Sequence, residues 1–263
     1  MKKVTIVQAR MSSTRFPGKV LKDILGKPLL IRMVERLQMS KLCGKVIVAL
    51  SDNPNDDPLE KLLKENEIPF FRGNENDLLE RHYLCAKEEK ADIVSKIPSD
   101  CPLICPKVID KVFLAFENGT YDYYSNLHPA TYPDGNDVEI FTFSALEKAY
   151  KEAKKPLERE HTTPYFWENL NLFKIGNYAW ESGKDFSMSH RFTIDYKEDY
   201  DFIKRVYEAL YPQKNNFELE DILNLLESRP DIFEINQNYA GVNWYRNHLD
   251  ELTTIAPDQT KKI

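Results

Sequence analysis

Four short apolar runs rich in β-branched residues punctuate the first hundred positions: Val4-Thr5-Ile6-Val7, Lys45-Val46-Ile47-Val48-Ala49-Leu50, Ile68-Pro69-Phe70-Phe71 and Ala91-Asp92-Ile93-Val94-Ser95-Lys96-Ile97. Such runs favour strands, and each is followed by a polar loop and then by apolar residues at helical spacing. Helices are expected over 28–37, where Pro28 suits a first turn, over 57–65, over 77–90, and from Pro106 onward. Strands alternating with helices at this spacing imply right-handed crossovers and a parallel sheet.

Beyond about residue 120 the pattern loosens. Strands are expected at 121–126 and 138–143 around a turn-rich stretch, Thr131-Tyr132-Pro133-Asp134-Gly135-Asn136, then helices at 144–153 and 158–168. Later strands at 172–175 and 192–194 precede helices at 197–210 and 217–228. The stretch from Asn236 reads as a tail that orders on docking.

The first strand runs into Gln8-Ala9-Arg10-Met11-Ser12-Ser13-Thr14-Arg15-Phe16-Pro17-Gly18-Lys19. Three cations, three hydroxyls and a Pro-Gly turn, with loop N–H groups to spare, are the parts of a polyphosphate cradle. A solvated basic loop is the alternative; position favours the cradle, because ligands of open α/β sheets sit beyond the carboxyl ends of strands. Neither a Walker loop nor a Gly-x-Gly-x-x-Gly fingerprint occurs, which excludes those two phosphate-binding designs.

A formal charge of -6 argues against a general binder of nucleic acid or anionic membrane, so any anionic ligand must be held by local cations. The 263 residues, 42% of them hydrophobic, can bury a substantial core. No apolar stretch approaches the roughly 20 residues that span a bilayer, and the amino end is too short in apolar residues for a signal peptide. A cytoplasmic location is expected. Cys43, Cys85, Cys101 and Cys105 lack metal-ligand spacing and read as free, buried thiols.

Two carboxylates follow β-rich runs. Asp100, in Pro98-Ser99-Asp100-Cys101-Pro102-Leu103, would repel a polyphosphate unless a divalent cation lay between them, which suggests Mg²⁺. Asp195, in Arg191-Phe192-Thr193-Ile194-Asp195-Tyr196, is a second candidate, with helix N-cap as its alternative role.

A strand followed by Ala-Arg-x-x-Ser-x-Arg-x-Pro-Gly-Lys resembles the nucleotide loop of the cytidylyltransferases that make CMP-activated acidic sugars, such as CMP-Kdo and CMP-sialic acid synthetases. The SpsF-like spore-coat branch is the nearest in appearance. The resemblance implies an α/β, nucleotide-diphospho-sugar-transferase-like (Rossmann-like) three-layer fold with a mostly parallel mixed sheet. One domain would cover 1–235, with an acceptor-side subregion at about 120–190, ahead of a tail at 236–263. It further implies transfer of CMP from CTP to a small acidic sugar with release of pyrophosphate. Arg10, Arg15, Lys19 and Asp100 would carry the chemistry, and Ala9, Ser12 and Ser13 would line the nucleotide loop.

Ser51 and Asp52, and Arg72 and Gly73, follow neighbouring strands and are expected at the base and ribose. Asp77 and Arg81 join that nucleotide site by resemblance, or pair with each other as an i, i+4 salt bridge. Family members have Asp-x-Pro-Leu and Thr-x-Asp stretches whose two Asp bind the metal; here they match Asp100 and Asp195, although Tyr196-Lys197 stands where Thr-Pro is common. Asp137 and Glu139 match the family's Gly-x-Asp-x-Glu, and Glu160 and His161 its Glu-His-x-Thr-Pro, all facing the acceptor. On their own, Glu139 would be a strand-face acid and His161 a partly buried polar residue. The remaining histidines share no metal-ligand spacing. A homodimer is the assembly to test. A glycosyltransferase on the same sheet and a non-catalytic nucleotide sensor are the rivals, and no Asp-x-Asp follows the fourth strand.

Overall fold

A computed structural model describes residues 1–262. In chain order, β1 (Lys3–Gln8) leads through a hairpin of β2 (Asp23–Ile24) and β3 (Lys27–Pro28) into α1 (Leu29–Gln38). Next come β4 (Lys45–Ser51), α2 (Asp57–Glu65), β5 (Phe70–Gly73), α3 (Leu78–Glu88), β6 (Ile93–Pro98) and α4 (Pro106–Glu117). The second half holds β7 (Tyr123–Ser125), β8 (Glu139–Thr142), α5 (Phe143–Glu152), α6 (Pro156–His161), α7 (Pro164–Trp167) and β9 (Ile175–Asn177). It closes with α8 (Lys197–Leu210), α9 (Leu219–Ser228) and α10 (Pro230–Phe233).

The strands other than the β2–β3 hairpin form one sheet in the order β5-β4-β1-β6-β8-β7-β9. Only β8 runs against its neighbours; all other pairings are parallel. The α/β mixed, mostly parallel fold expected from the sequence is therefore present. Side chains of β1 and β4 alternate between two cores. Val4, Ile6, Ile47 and Ala49 pack with Leu79, Tyr83 and Leu146 of α3 and α5, while Val7, Val48 and Leu50 pack with residues of α1, α4 and α8. Helices on both faces explain why these runs are continuously apolar. Among the described residues no helix is long and apolar enough to cross a membrane.

Several expected elements differ. The third strand lies two residues later than expected, because Val48 pairs with Phe70 and Ile68 lies outside the ladder. The helix expected over 158–168 breaks into α6 and α7 at Thr162, whose φ of 70° is left-handed, just ahead of Pro164. The strand expected at 172–175 begins only at Ile175. Residues 192–194 join no sheet: this segment crosses the carboxyl end of β6, held by Ile194 N–H donating to the Asp100 carbonyl at 2.9 Å. The β2–β3 hairpin was not expected. The segment from Asn236 docks on the chain's own body, with Leu252 and Ile255 buried in the core over α3 and α5.

Candidate active site

The loop after β1 is anchored at both ends. Ala9 N–H donates to the Ala49 carbonyl at 3.1 Å, and Gly18, at a φ of 65° that favours glycine, turns the chain so that Lys19 faces the sheet edge. The Lys19 ammonium then donates to the Ile194 carbonyl at 2.6 Å and lies 3.0 Å from Asp195 and 3.3 Å from Asp100. Two carboxylates far apart in sequence thus converge on one cation. Burial pushes the Lys19 ammonium down, but Asp100 and Asp195 outweigh it and hold the group above its ordinary value.

Asp195 has two further partners, Arg15 at 2.8 Å and Arg191 at 3.2 Å. Burial raises its carboxyl, yet Lys19, Arg15 and Arg191 together bring it down to about 2. Asp195 is not the cap of α8: Asp199 accepts the N–H groups of Asp195 and Tyr196 at 2.8 and 3.0 Å. Arg191, 1% exposed, bonds both Asp199 oxygens, Asp134 and the Val242 carbonyl. Gly135 makes this junction possible: its φ is 98°, and a Cβ there would meet the Phe192 carbonyl carbon at 2.7 Å.

These groups open onto a cavity of about 870 Å³. Its wall takes in Ala9, Arg10, Ser12, Ser13, Arg15, Lys19, Arg81, Asp100 and Asp195 from the expected nucleotide and metal set, and Asp137, Glu139, Glu160 and His161 from the expected acceptor set. Ser51, Asp52, Arg72, Gly73 and Asp77 are not in that wall. Ser51 spends its hydroxyl on Asp56 at 2.5 Å, and Asp52 N–H donates to the Gly73 carbonyl. Arg72 turns outward to Asp57 and Glu60, each at 2.7 Å. Asp77 caps α3 and pairs with Arg159 rather than Arg81. Arg81 is buried and donates instead to the carbonyls of Asn74, Ala49 and Glu75; burial, with Arg10 nearby, lowers its pKa.

Of the residues expected to face an acceptor, Glu139 is 4% exposed, pairs with Lys96 at 2.5 Å and accepts from the Tyr123 hydroxyl at 2.7 Å. Burial pushes its carboxyl up, but Lys96 and these hydrogen bonds bring it below the ordinary value. Asp137 behaves oppositely: burial and nearby Asp100 and Glu139 outweigh Lys96 and the Gly135 N–H, and raise it to about 7. His161 stacks on Trp244, ring centres 3.9 Å apart, and burial, with Lys96 and His248, lowers it to about 3, so the ring is neutral.

Sequence reasoning missed Lys96, Asp134, Arg191 and the aromatic wall of Trp244 and Tyr245. A lysine inside an otherwise apolar strand was the one available signal for Lys96. All four cysteines are free and buried, as expected.

The sequence pattern of the cytidylyltransferase family matches residues 4–228. This chain belongs to the cytidylyltransferase family. Its membership replaces the glycosyltransferase and sensor alternatives. The chain is 30% identical over 237 residues to the spore coat polysaccharide biosynthesis protein SpsF of Bacillus subtilis, covering 86% of this chain and 94% of that one. It is similar to a cytidylyltransferase structure from Leptospira borgpetersenii, with TM-score 0.83, 36% identity, and 90% and 98% of the two chains covered. A 3-deoxy-manno-octulosonate cytidylyltransferase of Chloroherpeton thalassium is 36% identical over 116 residues, 44% of this chain and 46% of that one.

Proposed function

We propose that this cytidylyltransferase transfers CMP from CTP to an acidic sugar of the nonulosonic or Kdo type, releasing pyrophosphate, in the synthesis of a surface polysaccharide or glycan. The carrying observation is a single cavity whose wall holds both the Arg10–Lys19 loop and Asp137, Glu139, Glu160 and His161. A sugar hydroxyl attacks the α-phosphorus of CTP and pyrophosphate leaves in line, so the protein's work is positioning and charge neutralisation. Arg10, Arg15 and Lys19 hold the phosphates through charge-assisted hydrogen bonds.

The donor set fits Mg²⁺, which takes one or two carboxylates plus phosphate oxygens: Asp100 and Asp195 already converge within 3.3 Å of one cation. Bound there, Mg²⁺ would neutralise charge on the α-phosphate.

The test is pyrophosphate release across CTP, UTP, ATP and GTP, each with a panel of keto-acid and neutral sugars. Cytosine offers an amino donor where uracil offers an acceptor, so a pocket built for one leaves groups unpaired with the other. Turnover with CTP and a keto-acid sugar is expected. Equal turnover with UTP, or with neutral sugars alone, would overturn the reading.

A further inference from the structure

The cavity wall includes residues that the family match at 4–228 leaves out: the segment Gly241 to Arg246, with Asp258 and Gln259. Within it Arg246 is half-buried. Its guanidinium donates to the Asn243 carbonyl at 2.9 Å and to the Tyr196 hydroxyl at 3.4 Å, and it meets no carboxylate among the described residues. Other arginines of the wall are neutralised: Arg15 by Asp195, Arg159 by Asp77, and Arg191 by Asp134, Asp195 and Asp199. Arg10 belongs to the loop after β1, and Arg81 spends its donors on carbonyls. In an acidic protein a half-buried arginine facing a cavity without a counter-ion points to an anion supplied from outside.

Its place says which anion. Trp244, two residues earlier, stacks on His161 at the acceptor end, while Tyr196 has Arg15 over its ring at 5.5 Å and adjoins Asp195. Arg246 therefore borders the Arg15–Asp195 group through Tyr196 and the His161–Trp244 group through its own turn. In a 2-keto acid sugar the anomeric carbon carries both the hydroxyl that attacks phosphorus and the carboxylate, so the carboxylate must lie at that same boundary.

We propose that Arg246 binds the carboxylate of the acceptor sugar, so that the C-terminal segment selects keto-acid sugars over neutral ones. The proposal rests on the reading under Proposed function. The shared chemistry is recognition of an anionic oxygen pair by a planar guanidinium, and the pyrophosphate end of CTP is the other possible source of such oxygens.

The experiment compares wild type with Arg246→Met, which keeps the apolar stem, and Arg246→Lys, which keeps the charge without the fork. Steady-state rates are measured with saturating CTP and the keto-acid sugar that wild type turns over. CTP affinity without acceptor is measured by calorimetry, and thermal melts confirm folding. Expected are a KM for the acid raised about ten- to a hundredfold in Arg246→Met and less in Arg246→Lys, an unchanged Kd for CTP, and no change in the weaker turnover of the acid's C1 carboxamide. Weakened CTP binding with an unchanged KM for the acid would assign Arg246 to the phosphates and overturn the proposal. So would unchanged KM for the acid in a folded Arg246→Met protein, or an equal loss with acid and carboxamide, the mark of a purely structural role. A wild type that turned over only neutral sugars would instead bring down the reading on which the proposal rests.

Discussion

In one part of the cavity wall the Arg15 side chain is 41% exposed and pairs with a partly exposed Asp195; in another, Lys96 and Glu139 face each other as register partners of β6 and β8, nearly sealed from solvent. The first kind of pair contributes little to stability and is easily exchanged for a ligand. The second was desolvated when the sheet formed, so each charge depends on the other. Similar distances therefore carry different duties: the first pair can release its counter-ions, the second is scaffold that shapes the cavity wall.

The largest expected effect breaks the buried pair. Lys96→Met or Glu139→Leu alone should cost about 3–5 kcal/mol in urea unfolding, because either leaves a buried charge unpaired, whereas the double replacement should recover most of it. Additive single losses would show that the pair is solvated in solution. Next come the partly exposed carboxylates. Asp195→Asn and Asp100→Asn keep side-chain shape but remove charge aimed at the reacting phosphate, and each should lower pyrophosphate release by roughly 10²–10³-fold in a folded protein. Since Tyr196 is the N-cap of α8 and Asp199 of its first turn accepts the N–H groups ahead of it, a loss in Asp195→Asn cannot be blamed on helix fraying.

A smaller effect sharpens the contrast within the first loop. Arg15→Ala should weaken CTP binding by about 1.5–3 kcal/mol with an almost unchanged melt. Lys19→Ala should do both, weakening binding and destabilising the fold, because it strips Asp100 and Asp195 of a shared partner. Calorimetry paired with melts separates the two.

The smallest effect is a slope. In metal-free protein the folded Asp137 carboxyl, at about 7, binds its proton more tightly than the unfolded chain does. Its contribution to stability is fully present below its ordinary value near 3.8 and falls as pH rises toward 7. Asp137→Asn keeps an acceptor for the Gly135 N–H and should flatten the stability profile over that window; an unchanged slope would place the titration elsewhere.

How much of this was legible in the sequence follows the reach of each interaction. The loop after β1 and Asp100 were readable because strand, turn residues and charge lie within a few positions. Asp195 reaches the same cavity, although its segment is no strand. Ser51 and Arg72 lie outside the cavity wall because a position after a strand fixes where a backbone goes, not where a side chain turns: Asp56, Asp57 and Glu60 hold both away from it. Lys96 was hidden by the 43 positions to Glu139 and by a reversal of strand direction at β8 that periodicity does not encode. The wall at 241–246 was illegible for a similar reason: Trp244 meets His161 by aromatic stacking and Arg246 meets Tyr196 by a hydrogen bond, and neither long-range contact leaves a repeat in the sequence.

The C-terminal segment's return to the cavity has a consequence for synthesis. A ribosome delivers Arg10 to Lys19 first and Trp244 to Gln259 more than two hundred residues later, at about 5–20 residues per second. The central strand β1 must wait for β6 before both its edges are paired, and the cavity must wait longer still for its last wall. A nascent chain can thus hold a folded sheet whose loop after β1 is open to solvent, and gains the wall at 241–246 only when that stretch emerges.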